Sequence, residues 1–134
     1  MMSQAGVLLF AHGARDPAWA IPFEAVATRL REHAPDVEVR LAFLEFMQPE
    51  LRAAAEELVR SGCRRVCIVP LFLGAGGHVR KDLPELLASL QADHPQVRWT
   101  LAGAIGEQPQ VIAAMAEAAL ALSTTTTTTN NSKA

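Results

Sequence analysis

The sequence predicts a single three-layer α/β/α domain with a four-stranded parallel sheet. Three observations carry that reading. Four short apolar runs recur along the chain, each followed by a stretch of helical spacing or composition. The alternation is strict, which selects parallel strands joined by right-handed helical crossovers over hairpins. The chain has 134 residues, half of them hydrophobic, which suits one core and hardly two domains.

The first strand is expected over residues 6–11. A helix follows over 18–33, with Phe23, Val26, Ala27 and Leu30 at i, i+3, i+4 and i+7. Asp16-Pro17 reads as a cap followed by a first-turn proline. Pro22 is awkward inside a helix, so residues 17–20 are expected as a lead-in turn and the helix proper from Ile21. The second strand spans 38–45. The next helix spans 49–60 and closes at Ser61-Gly62. The third strand spans 65–72 and is rich in Val, Ile and Leu. A Gly74–Gly77 loop leads to a helix over 79–92, which Pro84 should interrupt. The fourth strand is 97–102, and a last, almost wholly apolar helix covers 109–122. The expected strand order is 2-1-3-4, the flavodoxin-like arrangement. The domain should occupy residues 1–122. Residues 123–134, with six consecutive threonines, read as a disordered tail on composition.

Twelve basic against fourteen acidic residues give a net charge of −2, which argues against a broad nucleic-acid face. No apolar run is long enough to span a membrane, and the start lacks a basic, signal-like region, so a cytoplasmic protein is expected. Cys63 and Cys67 are separated by three residues, with no second pair, so plain reduced thiols are expected and not a zinc site.

Two histidines frame the candidate chemistry. His12 follows the first strand and precedes Gly13; His78 follows the third strand and Gly74-Ala75-Gly76-Gly77. Loops after strand C-termini gather along one edge of such a sheet, where ligands bind. Two imidazoles there could share one metal ion. Glu45 ends the second run on the same edge. Its neighbours Phe43, Leu44, Phe46 and Met47 are apolar, surroundings that raise a carboxylate's pKa and let it exchange protons near neutral pH.

Taken alone, His12 fits a backbone-bonded core residue, a general base or a ligand, and Glu45 fits a solvated strand end. Arg15 offers a donor fork for carboxylates or phosphates. Arg80 and Lys81 either meet acidic groups or form an ordinary solvated turn. The amides around Gly76 and Gly77, opening a helix, suit anions. His33 and His94 sit at helix ends and read as structural. Trp19 is placed to wall the site, and Trp99 reads as core.

Three segments together resemble a known family. They are His12-Gly13-Ala14-Arg15-Asp16-Pro17, Ala42-Phe43-Leu44-Glu45, and Pro70 to Val79 with Asp82-Leu83-Pro84 behind it. The set is similar to the small CbiX-type sirohydrochlorin chelatases, within the class II, ATP-independent chelatases. The similarity covers about residues 6–122, and the third segment is the specific one. Ala14 departs from the family's common serine and removes a hydroxyl from the loop.

The resemblance implies one half of a chelatase fold, completed as a homodimer around a tetrapyrrole cleft. It implies an enzyme with no permanently bound cofactor and no nucleic-acid or membrane partner. The metal is substrate: Co²⁺ is the first choice, Fe²⁺ the second, and Ni²⁺ stays open. His12 and His78 match the metal-binding and catalytic histidines, and Glu45 the acid of the second motif. Arg15, Arg80 and the amides at Gly76 and Gly77 are expected to seat the macrocycle's carboxylates.

Other readings carry less. A histidine phosphatase would place arginine before His12, where Ala11 stands. A flavin protein would carry a Ser/Thr-rich loop after the first strand, which is missing. A non-catalytic metal or tetrapyrrole carrier would use the same histidines, and turnover separates it from an enzyme.

Overall fold

The computed structural model describes residues 4–74 and 76–125; the side chain of His78 lies outside that description. Four strands, β1 (Ala5–Ala11), β2 (Glu38–Phe43), β3 (Arg65–Pro70) and β4 (Arg98–Leu101), form one sheet in the order β2-β1-β3-β4. Every pairing is parallel, with Leu9 of β1 opposite Leu41 of β2 and Val69 of β3. The expected order and orientation hold. Four helices alternate with the strands: α1 (Ile21–His33), α2 (Leu51–Arg60), α3 (Gly77–Asp93) and α4 (Pro109–Thr125).

Side chains alternate across the sheet, and each face meets its own helices. Leu8, Phe10, Ala42, Val66 and Ile68 face α2 and α3, against Ala54, Ala55, Leu58, Leu83 and Leu90. Leu9 and Val39, with Val7, Leu41 and Val69 partly buried, pack instead on Ala27 and Leu30 of α1. The small residues of α2 let it lie close to the sheet. Leu8, Leu58, Ile68 and Leu90 are fully enclosed. Each such side chain contributes roughly 1.5–3 kcal/mol of burial free energy. Trp99 joins this core as expected.

Local signals place the element ends. The Asp16 carboxylate accepts the Ala18 N–H at 3.0 Å, and residues Pro17–Ala20 form a short 3₁₀ turn before α1. Pro22 then falls in the first turn of α1, where no amide is missed. Gly62, at a φ of 94°, closes α2.

Some boundaries differ from expectation. β2 stops at Phe43, because the next two amides, of Leu44 and Glu45, both turn toward β1 and break the alternation of a strand, while the Phe43 N–H on the outer edge donates to the Pro49 carbonyl at 2.9 Å. β3 stops at Pro70, and α3 begins earlier, at Gly77. α3 also runs straight through Pro84. The carbonyl that Pro84 leaves without an amide belongs to exposed Arg80, where water replaces the bond.

The expected tail is corrected at its start. α4 continues to Thr125, with the hydroxyls of Ser123, Thr124 and Thr125 donating back to the carbonyls of Leu120 and Ala121. Residues 126–134, the rest of the expected tail, lie outside the described residues. α4 also differs from the other helices in packing: it buries no residue. The α1 side of the sheet beyond α1 is an open groove of about 370 Å³ floored by Val7, Cys67 and Thr100.

Both cysteines are free thiols. Cys63 is enclosed, and burial pushes its thiol pKa up; Glu38 adds to the shift and Arg40 opposes it.

Candidate functional site

The site is built where the loops after β1, β2 and β3 meet. His12 is the first residue past β1. Backbone bonds between the two segments continue past the end of the β1–β2 ladder. The Leu44 N–H donates to the Ala11 carbonyl at 2.9 Å, and the Glu45 N–H donates to the His12 carbonyl at 3.1 Å. That extension fixes Glu45 beside His12, and His12 Nε2 lies 3.2 Å from Glu45 Oε2. Gly13 makes the crossing possible. Its φ is +94°, and a Cβ there would stand 1.9 Å from the Glu45 carbonyl oxygen. Only glycine combines that φ with that approach.

The pair is open to solvent, with His12 53% and Glu45 49% exposed. The expectation of Glu45 sunk among apolar neighbours is therefore corrected. Phe43 is in the core, but Leu44 and Phe46 themselves face water. A neutral His12 that donates Nε2–H to this carboxylate carries its lone pair on Nδ1. At 3.2 Å the carboxylate is placed to orient the ring.

The edge of Phe72 meets the His12 ring, centroids 6.1 Å apart. Beside them opens a groove of about 520 Å³, lined by His12, Phe72, Leu73, Gly74, Gly76 and Gly77. That volume lies in the range of small-molecule sites. Gly76 caps α3 in an extended conformation, and His78 is the second residue of that helix. The topology thus puts the His78 backbone on the same edge as His12. Its side chain is outside the description, so the expected pairing of the two imidazoles goes forward as a proposal. Among the described residues, no three His, Cys, Asp or Glu side chains converge to hold a metal.

The two arginines diverge. The Arg15 guanidinium lies 5.0 Å from the centre of the Phe46 ring, a cation–π contact. Arg80 lines a neighbouring pocket of about 180 Å³ with Leu83 and Glu107, and Val79 borders both hollows. Trp19 stacks on Phe23 at 4.5 Å and packs with Ala11, Phe43 and Met47, behind the His12 loop. His33 ends α1 and is exposed. His94 caps α3 against Trp99.

Two side chains were not singled out from sequence. Phe46 has a φ of 67°, uncommon for a bulky residue, and is 59% exposed. Such a conformation costs about 1–3 kcal/mol and concentrates at functional sites. Leu73 is 71% exposed. Its backbone is held from behind by Gly106, whose N–H donates to the Phe72 carbonyl at 2.9 Å. A Cβ on Gly106 would come within 2.4 Å of Leu73. The only sequence signal for either was an apolar residue just past a strand end.

The CbiX family model matches residues 6–121. The chain belongs to the CbiX family. A sirohydrochlorin cobaltochelatase of Saccharolobus solfataricus is 35% identical over 94 residues, 70% of this chain and 71% of the relative. One of Sulfurisphaera tokodaii is 31% identical over 112 residues, 84% of this chain and 88% of the relative. A solved cobalamin-biosynthesis CbiX protein of Marinobacter aquaeolei VT8 superposes with a TM-score of 0.75 at 32% identity. That match covers 87% of this chain and 95% of the other. The sirohydrochlorin chelatase SirB of Bacillus subtilis subspecies spizizenii, in complex with cobalt, gives a TM-score of 0.77 at 24% identity. There the shared fold takes 89% of this chain and 51% of SirB, so this CbiX chain corresponds to about half of that protein.

Proposed function

We propose that this chain is an ATP-independent chelatase that inserts a divalent metal into sirohydrochlorin, with Co²⁺ the first choice and Fe²⁺ the second. The observation that carries the reading is the His12–Glu45 pair, 3.2 Å apart on an open sheet edge. Named relatives support the substrate. Ligand type alone rarely selects the metal, so Ni²⁺ stays within reach of the same donors.

Insertion exchanges two inner N–H protons of the macrocycle for one M²⁺. The residues have two tasks, to present the ion and to accept protons. Neutral imidazole suits these borderline metals, and His12 with His78 would supply it. Glu45, which reaches solvent, or whichever histidine does not hold the ion accepts the protons. A few weak ligands favour release to the macrocycle, whereas a closed four-ligand site would retain the ion. Arg15, Arg80 and the amides at Gly76 and Gly77 are the groups available to the peripheral carboxylates.

The reading includes a homodimer. α4 leaves Ile112, Met115 and Leu120 exposed, while among the described residues no helix covers the open groove beside β3 and β4. One chain thus carries both halves of an apolar contact that it does not make, and a second copy supplies each in turn. A 17-residue helix is about 25 Å long and 10 Å across, so one face laid down removes on the order of 500 Å² from both surfaces. Two exchanged helices reach about 1,000 Å², the lower bound for a specific interface. The double substitution Ile112→Glu, Met115→Glu should give a monomer by light scattering. A wild-type monomer with full activity removes the dimer from the proposal. No helix among the described residues can cross a membrane, and the free thiols fit a reducing cytoplasm.

The deciding experiment is anaerobic metallation of sirohydrochlorin, followed by absorbance, with Co²⁺ or Fe²⁺. Wild type is compared with His12→Ala, His78→Ala and no enzyme. Acceleration lost in both variants supports the chelatase. Binding without acceleration makes the chain a carrier.

A further inference from the structure

We infer that Phe46 is a substrate-positioning residue whose exposed ring, with Leu73, seats the conjugated face of the macrocycle over His12. The inference rests on the chelatase reading and adds residues to it. Strand order β2-β1-β3 puts Phe46 and Leu73 on opposite sides of His12, since they follow β2 and β3. Both are among the most exposed large apolar residues of the chain. Neither is an accident of a loose loop. Phe46 is held out by a left-handed backbone, and Leu73 rests on the Gly106 backbone.

A bare metal site or a proton relay has no use for apolar surface on both flanks. A flat conjugated ring with a carboxylate rim does. The Arg15 guanidinium covers one face of the Phe46 ring and leaves the other for the ligand. It also puts a cation where an anionic rim would lie. Aromatic stacking of this kind favours offset contact with another π-face, and no charged side chain replaces it.

Phe46→Gly is the informative substitution, because glycine takes a φ of 67° without cost and removes only the ring. The dissociation constant for metal-free sirohydrochlorin, read from its absorbance change, should rise about tenfold. KM should rise with it while kcat changes little, and Phe46→Trp should restore both to within about twofold. Tm should stay within about 3 °C of wild type, since the backbone is relaxed and the side chain was exposed. His12→Ala should show the opposite pattern: near-normal binding of the free macrocycle and a lost rate.

Phe46→Gly and Leu73→Ser variants that bind as wild type does would overturn the inference and leave the chelatase intact. A weaker affinity accompanied by a fall in the light-scattering mass would assign the ring to subunit assembly and overturn it too. A wild type that does not bind sirohydrochlorin at all would end both readings together.

Discussion

Gly13→Ala is the sharpest single test of how the site is held. The φ of +94° lies outside what an L side chain adopts comfortably, which costs about 1–2 kcal/mol. The new methyl would sit 1.9 Å from the Glu45 carbonyl oxygen. That oxygen is backbone, so no rotamer relieves the contact. The two loops must part by about 1 Å to reach even a tight 3.0 Å contact. Parting them stretches the bond from the Glu45 N–H to the His12 carbonyl, now 3.1 Å, and the side-chain pair, now 3.2 Å. Loss of that backbone bond adds about 1 kcal/mol. The total is about 2–3 kcal/mol, or roughly 8–12 °C in Tm at about 4 °C per kcal/mol for a domain of this size. Thermal melts at one fixed protein concentration measure it, and the metallation assay reads the site. The expected rate loss exceeds what the unfolded fraction explains at a temperature well below the melt. A Gly13→Ala protein with unchanged Tm and unchanged rate would refute the account of the loop crossing.

Glu45→Gln keeps the shape and a hydrogen-bond acceptor for His12 but cannot take a proton. The metallation rate should drop by about 10²–10⁴ with Tm and macrocycle affinity near wild type; an equal rate would remove Glu45 from proton transfer. Cys63 gives a pH prediction. Burial raises its thiol pKa in the fold, so the unfolded chain releases that proton first. Stability from this group is fully present below the unfolded value of about 8.5 and is lost as pH climbs toward the folded one. Urea unfolding between about pH 8 and 10 should therefore fall more steeply for wild type than for Cys63→Ala, and parallel slopes would contradict it.

The fold was legible because burial writes itself into alternation. β3 is apolar on both faces, and α2 carries Ala54, Ala55 and Leu58 on its sheet side. Asp16-Pro17 announced its turn through a carboxylate that caps and a ring that pre-sets φ. The strand ends at Phe43 and Pro70 were less legible, since the residues beyond them are equally apolar and a tertiary bond decides where the ladder stops. Periodicity also could not show that α4 buries no residue among the described ones, because the same apolar sequence serves a core or an interface. At the site, residue type brought out His12, Glu45 and Arg15. It could not foresee that Glu45 stands in water beside an imidazole, because that follows from two backbone bonds made just past the strand ends. Nor could it foresee Phe46, whose role rests on one backbone dihedral.

One constraint links these features. The link that carries Glu45 to His12 is made by backbone bonds, so it sets the pair with little dependence on side-chain packing. Among the described residues the pair stays open, with both groups half exposed. A site that loads an ion from water and gives it to a larger ligand needs such access, and an enclosed one would hold the ion too well. Protection during transfer must then come from what sits on top. In the proposed assembly the flat substrate would supply one cover, over Phe46 and Leu73, and a second copy of the chain the other. The same half-length fold is thereby sufficient for the chemistry of one site and insufficient for its shelter, which is the reason to seek the active form in an assembly and not in the single chain.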